Sequence, residues 1–293
     1  MNSSHTAIPF PHDRPGYGPA APFSEPGGSA RSYGRAATLY PILHLRPPYT
    51  PGATAVMVRE VDTTKIVPGS VLALHITARN INWLECSETV RGLRHQLPSV
   101  PVVLSLAPDI PDGLFLAGQA ARASVRAVVS GSAPLGESLR RPLTSTQTLG
   151  SDVVEWLGLF GLRLTPTLNH LIGHIFSRAP EYREVADLLR EIGAAESSTR
   201  FRFRKKGLPG PSRWLQAARG LHAALRIQID PDRSILTHAV EIGYADHSAL
   251  CHQMRRLFGT TPAMVRETLG WEWLLERWVR ANILIDQRRD LAS

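Results

Sequence analysis

The sequence predicts a mixed chain, in which an α/β domain built on a parallel sheet is followed by an all-α C-terminal domain with two helix-turn-helix units. Three observations predict it. Short apolar runs alternate with amphipathic stretches over residues 53–150. Apolar residues recur at i, i+3, i+4 spacing from Leu168 onward, the signature of helices with one buried face. Within that second region, paired short helical patterns are separated by single glycines, Gly193 in one pair and Gly243 in the other.

The bulk composition sets the frame. A chain of 293 residues has room for two domains and a tail. Its hydrophobic fraction of 43% and charged fraction of 20% suit packed cores. The net charge of +8 and a sequence pI near 10.1 favour an anionic partner, nucleic acid or a membrane surface. Its two cysteines, Cys86 and Cys251, are far apart and lie in no zinc-binding spacing, so a reducing compartment is expected. No apolar run reaches the ~18–20 residues of a membrane span. The polar N-terminus lacks the apolar core of a secretory signal, and a cytoplasmic location is expected with no membrane partner. Residues 1–50 are crowded with Pro, Gly and Ser, as in Pro26-Gly27-Gly28-Ser29, and are expected to form a disordered tail.

Over 53–150 the elements follow in order. Val71–Ile76 reads as a strand. Trp83–Leu97 has helical spacing at Leu84, Val90, Leu93 and Leu97. Val100–Leu106 is a second strand, Leu114–Ala123 a second helix, and Val125–Val129 a third strand. Strands separated by helices imply parallel pairing. In its order of elements alone, this region loosely resembles a response-regulator receiver domain. That resemblance implies a sensor or dimerisation domain. It also requires an acceptor aspartate at the end of the central strand, acidic residues for Mg²⁺ and a lysine after the last strand. Here Val71–Ile76 ends in His75-Ile76-Thr77, and Val125–Val129 runs into Ser130-Gly131-Ser132. Only Glu60 and Asp62 match the metal-binding acids. A receiver-like fold without phosphorylation chemistry is therefore expected.

Residues 151–180 read as linker helices. Leu168, Leu171, Ile172, Ile175 and Phe176 make one apolar stripe, expected to pack on the α/β domain or on a second subunit. From Ser234 the signals sharpen. Ser234 caps a helix carrying Ile235, Ala239 and Ile242, and Gly243 stops it. Asp246 caps the next helix, whose apolar side is Leu250, Met254, Leu257 and Phe258. Gly259 ends that helix, and Thr261-Pro262 starts another. The stretch Ala239-x3-Gly243-Tyr244-x-Asp246-x-Ser248-x-Leu250, continued by Arg255-Arg256-Leu257-Phe258-Gly259-Thr260-Thr261-Pro262, closely resembles the second helix-turn-helix of AraC-type bacterial regulators. The match runs without a gap. The chain departs from the family at His252, where arginine is usual, and at Met254, where an aromatic is usual. At ~100° per residue, with Leu250 inward, Ser248, His252 and Arg255 point outward, flanked by Ala249 and Arg256. His247 and Gln253 fall toward the buried edge.

The upstream unit is less regular. Val185, Leu188, Leu189 and Ile192 form a stripe before Gly193, and Ser197–Lys206 follows as the second helix. Its end, Phe203-x3-Gly207 followed by Pro211-x2-Trp214-Leu215, resembles the end of the first AraC-type unit, with one extra residue before Pro211. Phe201 and Phe203 are expected in the core or at an interface. A linker helix from Ser212 to Ile229 would turn Trp214, Leu215, Ala218, Leu221, Ala224 and Leu225 inward. From Arg200 to Arg226 there are eight bases and no acid. Such one-sign clustering is the footprint of phosphate contact. Ser197, Ser198, Arg200, Arg202, Arg204 and Lys205 thus join Ser248, Ala249, His252, Arg255 and Arg256 as candidate DNA-binding residues. A final aromatic helix, Trp271–Ile285, would pack back through Trp271, Leu274, Leu275, Trp278 and Ile285.

The resemblance implies a transcription regulator that binds double-stranded promoter DNA through two recognition helices. RNA polymerase and a second copy of the chain are candidate partners, and the sequence names no effector. No cofactor and no enzymatic activity are expected. His170 and His174 stand at i, i+4 without a third metal ligand. Phosphate-loop and dinucleotide fingerprints are missing, and Cys86 lacks the Pro-Cys-His-Arg setting of an alkyl-accepting cysteine. The rival reading is a receiver-like signalling or interaction protein whose basic end binds nucleic acid without sequence preference.

Overall fold

A computed structural model describes residues 42–49, 56–58, 63–76, 83–107, 118–119, 125–130 and 135–283. Among the described residues five strands form one sheet: β1 (Ile42–Leu45), β2 (Val56–Val58), β3 (Val71–Ile76), β4 (Val102–Leu106) and β5 (Ala127–Ser130). Their order is β2-β1-β3-β4-β5. β3, β4 and β5 are parallel, with Leu74 opposite Leu104 and Leu104 opposite Val128. β1 is antiparallel to both β2 and β3. The sheet is therefore mixed, where a parallel one was expected. The extra strand β1 comes from within the segment read as a tail. Its Ile42, Leu43 and Leu45 are apolar enough to join a sheet despite the Pro-rich flanks. Residues 1–41, most of Leu114–Ala123, Glu60, Asp62 and Ile285 lie outside the described residues.

The strands read as continuous apolar runs because both faces of the sheet are covered. On one face Leu72, Leu74, Ile76, Val102 and Leu104 meet α1 (Trp83–Gln96) through Cys86, Val90 and Leu93. Leu84, placed on this stripe by its spacing, points to solvent at 71% exposure, and Cys86 takes the inward position. On the other face Val71, Ala73, Val103 and Val129 meet Leu139 and Leu143 of α2 (Leu135–Leu143) and also Leu269, far along the chain.

The remaining helices are α3 (Leu149–Leu159), α4 (Pro166–Arg178), α5 (Val185–Glu191), α6 (Glu196–Lys205), α7 (Pro211–Ile229), α8 (Ile235–Glu241), α9 (His247–Phe258), α10 (Pro262–Glu267) and α11 (Glu272–Asn282). They share one core. Trp214 of α7 is its hub: fully buried, it meets Phe176 of α4 at 6.2 Å, Phe203 of α6 at 6.3 Å and Trp278 of α11 at 4.7 Å between ring centroids. Its indole N–H donates to the Pro209 carbonyl at 3.0 Å. The α4 stripe expected to cover the α/β domain or another subunit is buried in this core instead. Residues 151–180 are thus part of the helical core rather than a linker.

A narrow seam joins the two units. Arg126, at the foot of β5, bonds to Asp152 of α3, lies 3.3 Å from Glu272 Oε1 and sits 5.7 Å from the Trp271 ring centroid. Arg140 of α2 donates to the Gln228 carbonyl at 2.5 Å. The Gln228 side chain in turn holds the connector between α10 and α11, donating to the Thr268 and Gly270 carbonyls at 2.8 and 3.1 Å and accepting the Gly270 N–H at 3.0 Å.

Candidate nucleic-acid interface

Local chemistry sets each helix end near the candidate residues. Ser234 Oγ accepts the Thr237 N–H at 3.0 Å and starts α8. Gly243, at φ +87°, makes the turn that an L side chain would strain. Asp246 Oδ1 accepts the Ala249 N–H at 2.7 Å and starts α9, and Thr261 caps α10 with Pro262 in its first turn. The pair α5–α6 has the same outline, with Gly193 at φ +64° between the helices. The helices α8 and α9 pack on each other and on α7.

The α9 helix is sharply two-sided. Leu250, Met254, Leu257 and Phe258 are buried, and Met254 occupies the aromatic's place in the core with no exposure. Ser248, His252, Arg255 and Arg256 are exposed and Ala249 is half-buried, as the helical geometry predicts. His247 differs from expectation: it is exposed in the first turn, where it lies 3.4 Å from Cys251 Sγ. The two arginines also differ from each other. Arg256 donates to Gln216 Oε1 of α7 at 3.1 Å, whereas among the described residues Arg255 has no side-chain partner.

On α6, Ser197, Ser198, Arg200, Arg202, Arg204 and Lys205 are all exposed. Phe203 is buried in the core, but Phe201, expected beside it, is 55% exposed and lies under the Arg204 guanidinium. One helix cannot turn both inward, since positions two apart lie ~200° apart. The basic run is less free than its composition suggests. Arg200 is paired with Glu196, and Arg226 is 3.3 Å from Glu241. Both acids lie outside the 200–226 window, so the window alone hides them. Among the described residues no group of three or more His, Cys, Asp or Glu is placed to hold a metal ion. His170 and His174 stand with ring centroids 6.4 Å apart in a groove between α3 and α4.

Residues 188–268, from α5 through α10, match a family model described as a helix-turn-helix domain. The match lies in the C-terminal third, and the family is that of AraC-type helix-turn-helix domains. No curated protein and no solved structure matches the chain. The matched family is one of DNA-binding regulator domains. Among the described residues no helix is long and apolar enough to cross a membrane. Arg213 and Arg219, counted in the basic run but not singled out as contact residues, lie with Gln216 on the outer edge of α7, where Arg213 and Gln216 are exposed and Arg219 is half-exposed. The signal was present: those three positions are polar at i, i+3 and i+6, between residues the helix buries.

Proposed function

We propose that the chain is a sequence-specific transcription regulator that reads successive major-groove segments of duplex DNA with α6 and α9. One observation carries this reading. Ser248, His252 and Arg255 stand exposed on one face of a helix whose opposite face is anchored in the core. A rigidly backed helix with free donors on its outer face suits major-groove readout. Arg255, with no side-chain partner among the described residues, is the residue assigned to a base edge, where arginine binds guanine O6 and N7 together. Arg256, held by Gln216, is assigned to the phosphate backbone. In α6, the exposed Ser197, Ser198, Arg202 and Lys205 are assigned to the adjoining segment. The α/β unit acts in this proposal as a scaffold that packs against the helical core through Leu269.

The test is a binding selection with the full chain on random duplexes, followed by sequencing of the bound pool. An enriched motif with two blocks about ten base pairs apart is expected. A pool without any motif sinks the sequence-specific reading. On the selected duplex, Arg255→Ala is expected to cost about 1–3 kcal/mol and to relax the preference at one position.

A further inference from the structure

The family resemblance makes α7 a linker helix, but its exposed edge is basic. Arg213, Gln216 and Arg219 follow one another along it, while Trp214, Leu215, Ala217 and Ala218 face the core. At its start, Arg213 closes a groove of about 770 Å³ between α6 and α7, lined from the α6 side by Glu196, Ser197, Arg200, Phe201 and Arg204. Further along, Gln216 holds Arg256 of α9, and Arg219 and Arg256 both lie near enough to Tyr244 to act on its hydroxyl. The edge therefore runs unbroken from α6 to α9. Five guanidinium groups border it, and Glu196, the one carboxylate among the described residues that line the groove, is already paired with Arg200.

We propose that this edge of α7, with the groove at its start, is a third contact surface that seats the phosphodiester backbone between the segments met by α6 and α9. The inference rests on the DNA-binding reading above and adds a site to it. Guanidinium groups bind phosphate oxygens in pairs with favourable geometry. From Arg213 to Arg219 the helix rises about 9 Å. That is the axial span of between two and three phosphates of one strand, at ~3.4 Å each. Phe201 holds the Arg204 guanidinium over its ring and so limits its freedom before any ligand arrives. The surface supplies affinity without reading sequence.

The experiment uses the full chain with Arg213→Gln and Arg219→Gln combined. Binding is followed by fluorescence anisotropy across a salt series, on the selected duplex and on a scrambled one. The expected result is an equal fold-loss of affinity on both duplexes. The slope of log affinity against log salt becomes shallower by about 0.9 per lost contact, hence about 2 in total. The Arg→Lys pair is expected to keep the wild-type slope. Arg226→Gln, on the same helix but paired with Glu241, is expected to leave it unchanged. An unchanged slope in the double Gln variant overturns the inference, as does a changed preference between duplexes with no change in slope. If Arg255→Ala loses preference while the double variant matches wild type, this inference falls and the recognition reading stands. If the wild-type chain shows no preference yet the double variant loses slope, the reverse holds. A wild-type chain that binds neither duplex overturns both.

Discussion

Asp246 is one carboxylate that decides where α9 begins. It accepts the Ala249 N–H at 2.7 Å, and the first turn it closes carries Ser248. Asp246→Ala is expected to cost about 0.5–2 kcal/mol of stability, with Asp246→Asn retaining most of it, because Asn caps as well as Asp. Urea unfolding checks the stability, and the affinity of the Ala variant for the selected duplex is expected to fall in parallel. His222 of α7 sets a pH response. Burial holds its imidazole below the ordinary histidine range, offset in part by its 2.7 Å hydrogen bond to the Phe176 carbonyl. Well above about pH 6.5 both folded and unfolded chains keep this histidine neutral and its contribution is complete. As pH falls, the unfolded chain takes up the proton first, so stability is lost until the folded-state group also protonates. His174 of α4 is lowered for the same first cause, burial, and acts in the same direction. The urea midpoint is expected to drop between about pH 7 and 5, and to drop less in His222→Gln. Equal pH dependence in the two proteins would contradict the assignment.

At the scale of elements, the crossing of α3 and α4 depends on a missing side chain. A Cβ at Gly150 would collide with the Gly173 carbonyl and Ser177 Oγ. Alanine in a helix ordinarily gains about 1 kcal/mol over glycine. Overpacking against backbone costs about 1–3 kcal/mol, so Gly150→Ala is expected to lower the thermal midpoint, and a higher midpoint would show that the helices can part freely. Elements were legible wherever pattern and punctuation agreed. Val71–Ile76 was placed to the residue, and α7 and α9 were placed nearly so by their apolar stripes and by Asp246, Pro211 and Gly259. Leu84 and Phe201 failed for one reason. Each is a large apolar residue next to a stripe rather than on it, and only the fold shows which phase of the helix is inward. β1 failed because four apolar-leaning residues between prolines cannot outweigh their surroundings until β3 is there to pair with them.

For the whole molecule, the seam around Arg126 fixes how the two units meet. Glu272 is 5% exposed, and burial raises its carboxyl pKa above the ordinary range while Arg126 pulls it back. Removing Arg126 strands that carboxylate, and Arg126→Ala is expected to cost on the order of 3–5 kcal/mol at neutral pH. A raised folded-state pKa gives stability that is present below the unfolded value and lost as pH rises through the folded one. The deficit should therefore be larger at pH 8 than at pH 5 by urea unfolding, and a deficit equal at both would remove Glu272 from the account. None of this seam was legible in the sequence. Arg126, Gln228 and Glu272 are separated by up to about half of the chain, and no local pattern marks side chains that meet only after both cores have formed. The exposed face of α9 was legible for the opposite reason, since one short helix with its caps contains it.

The connector Thr268–Trp271 has a practical consequence. Leu269 is buried against the sheet, while the peptide groups on either side of it are held by Gln228 of the helical core. The chain is thus laced, not beaded: its last third cannot be lifted out as an interchangeable cassette. A chimera that joins these helices to a foreign domain must supply a substitute surface for Leu269 and a counter-charge for Glu272. Otherwise it carries an open wound in the place where its own sheet used to lie.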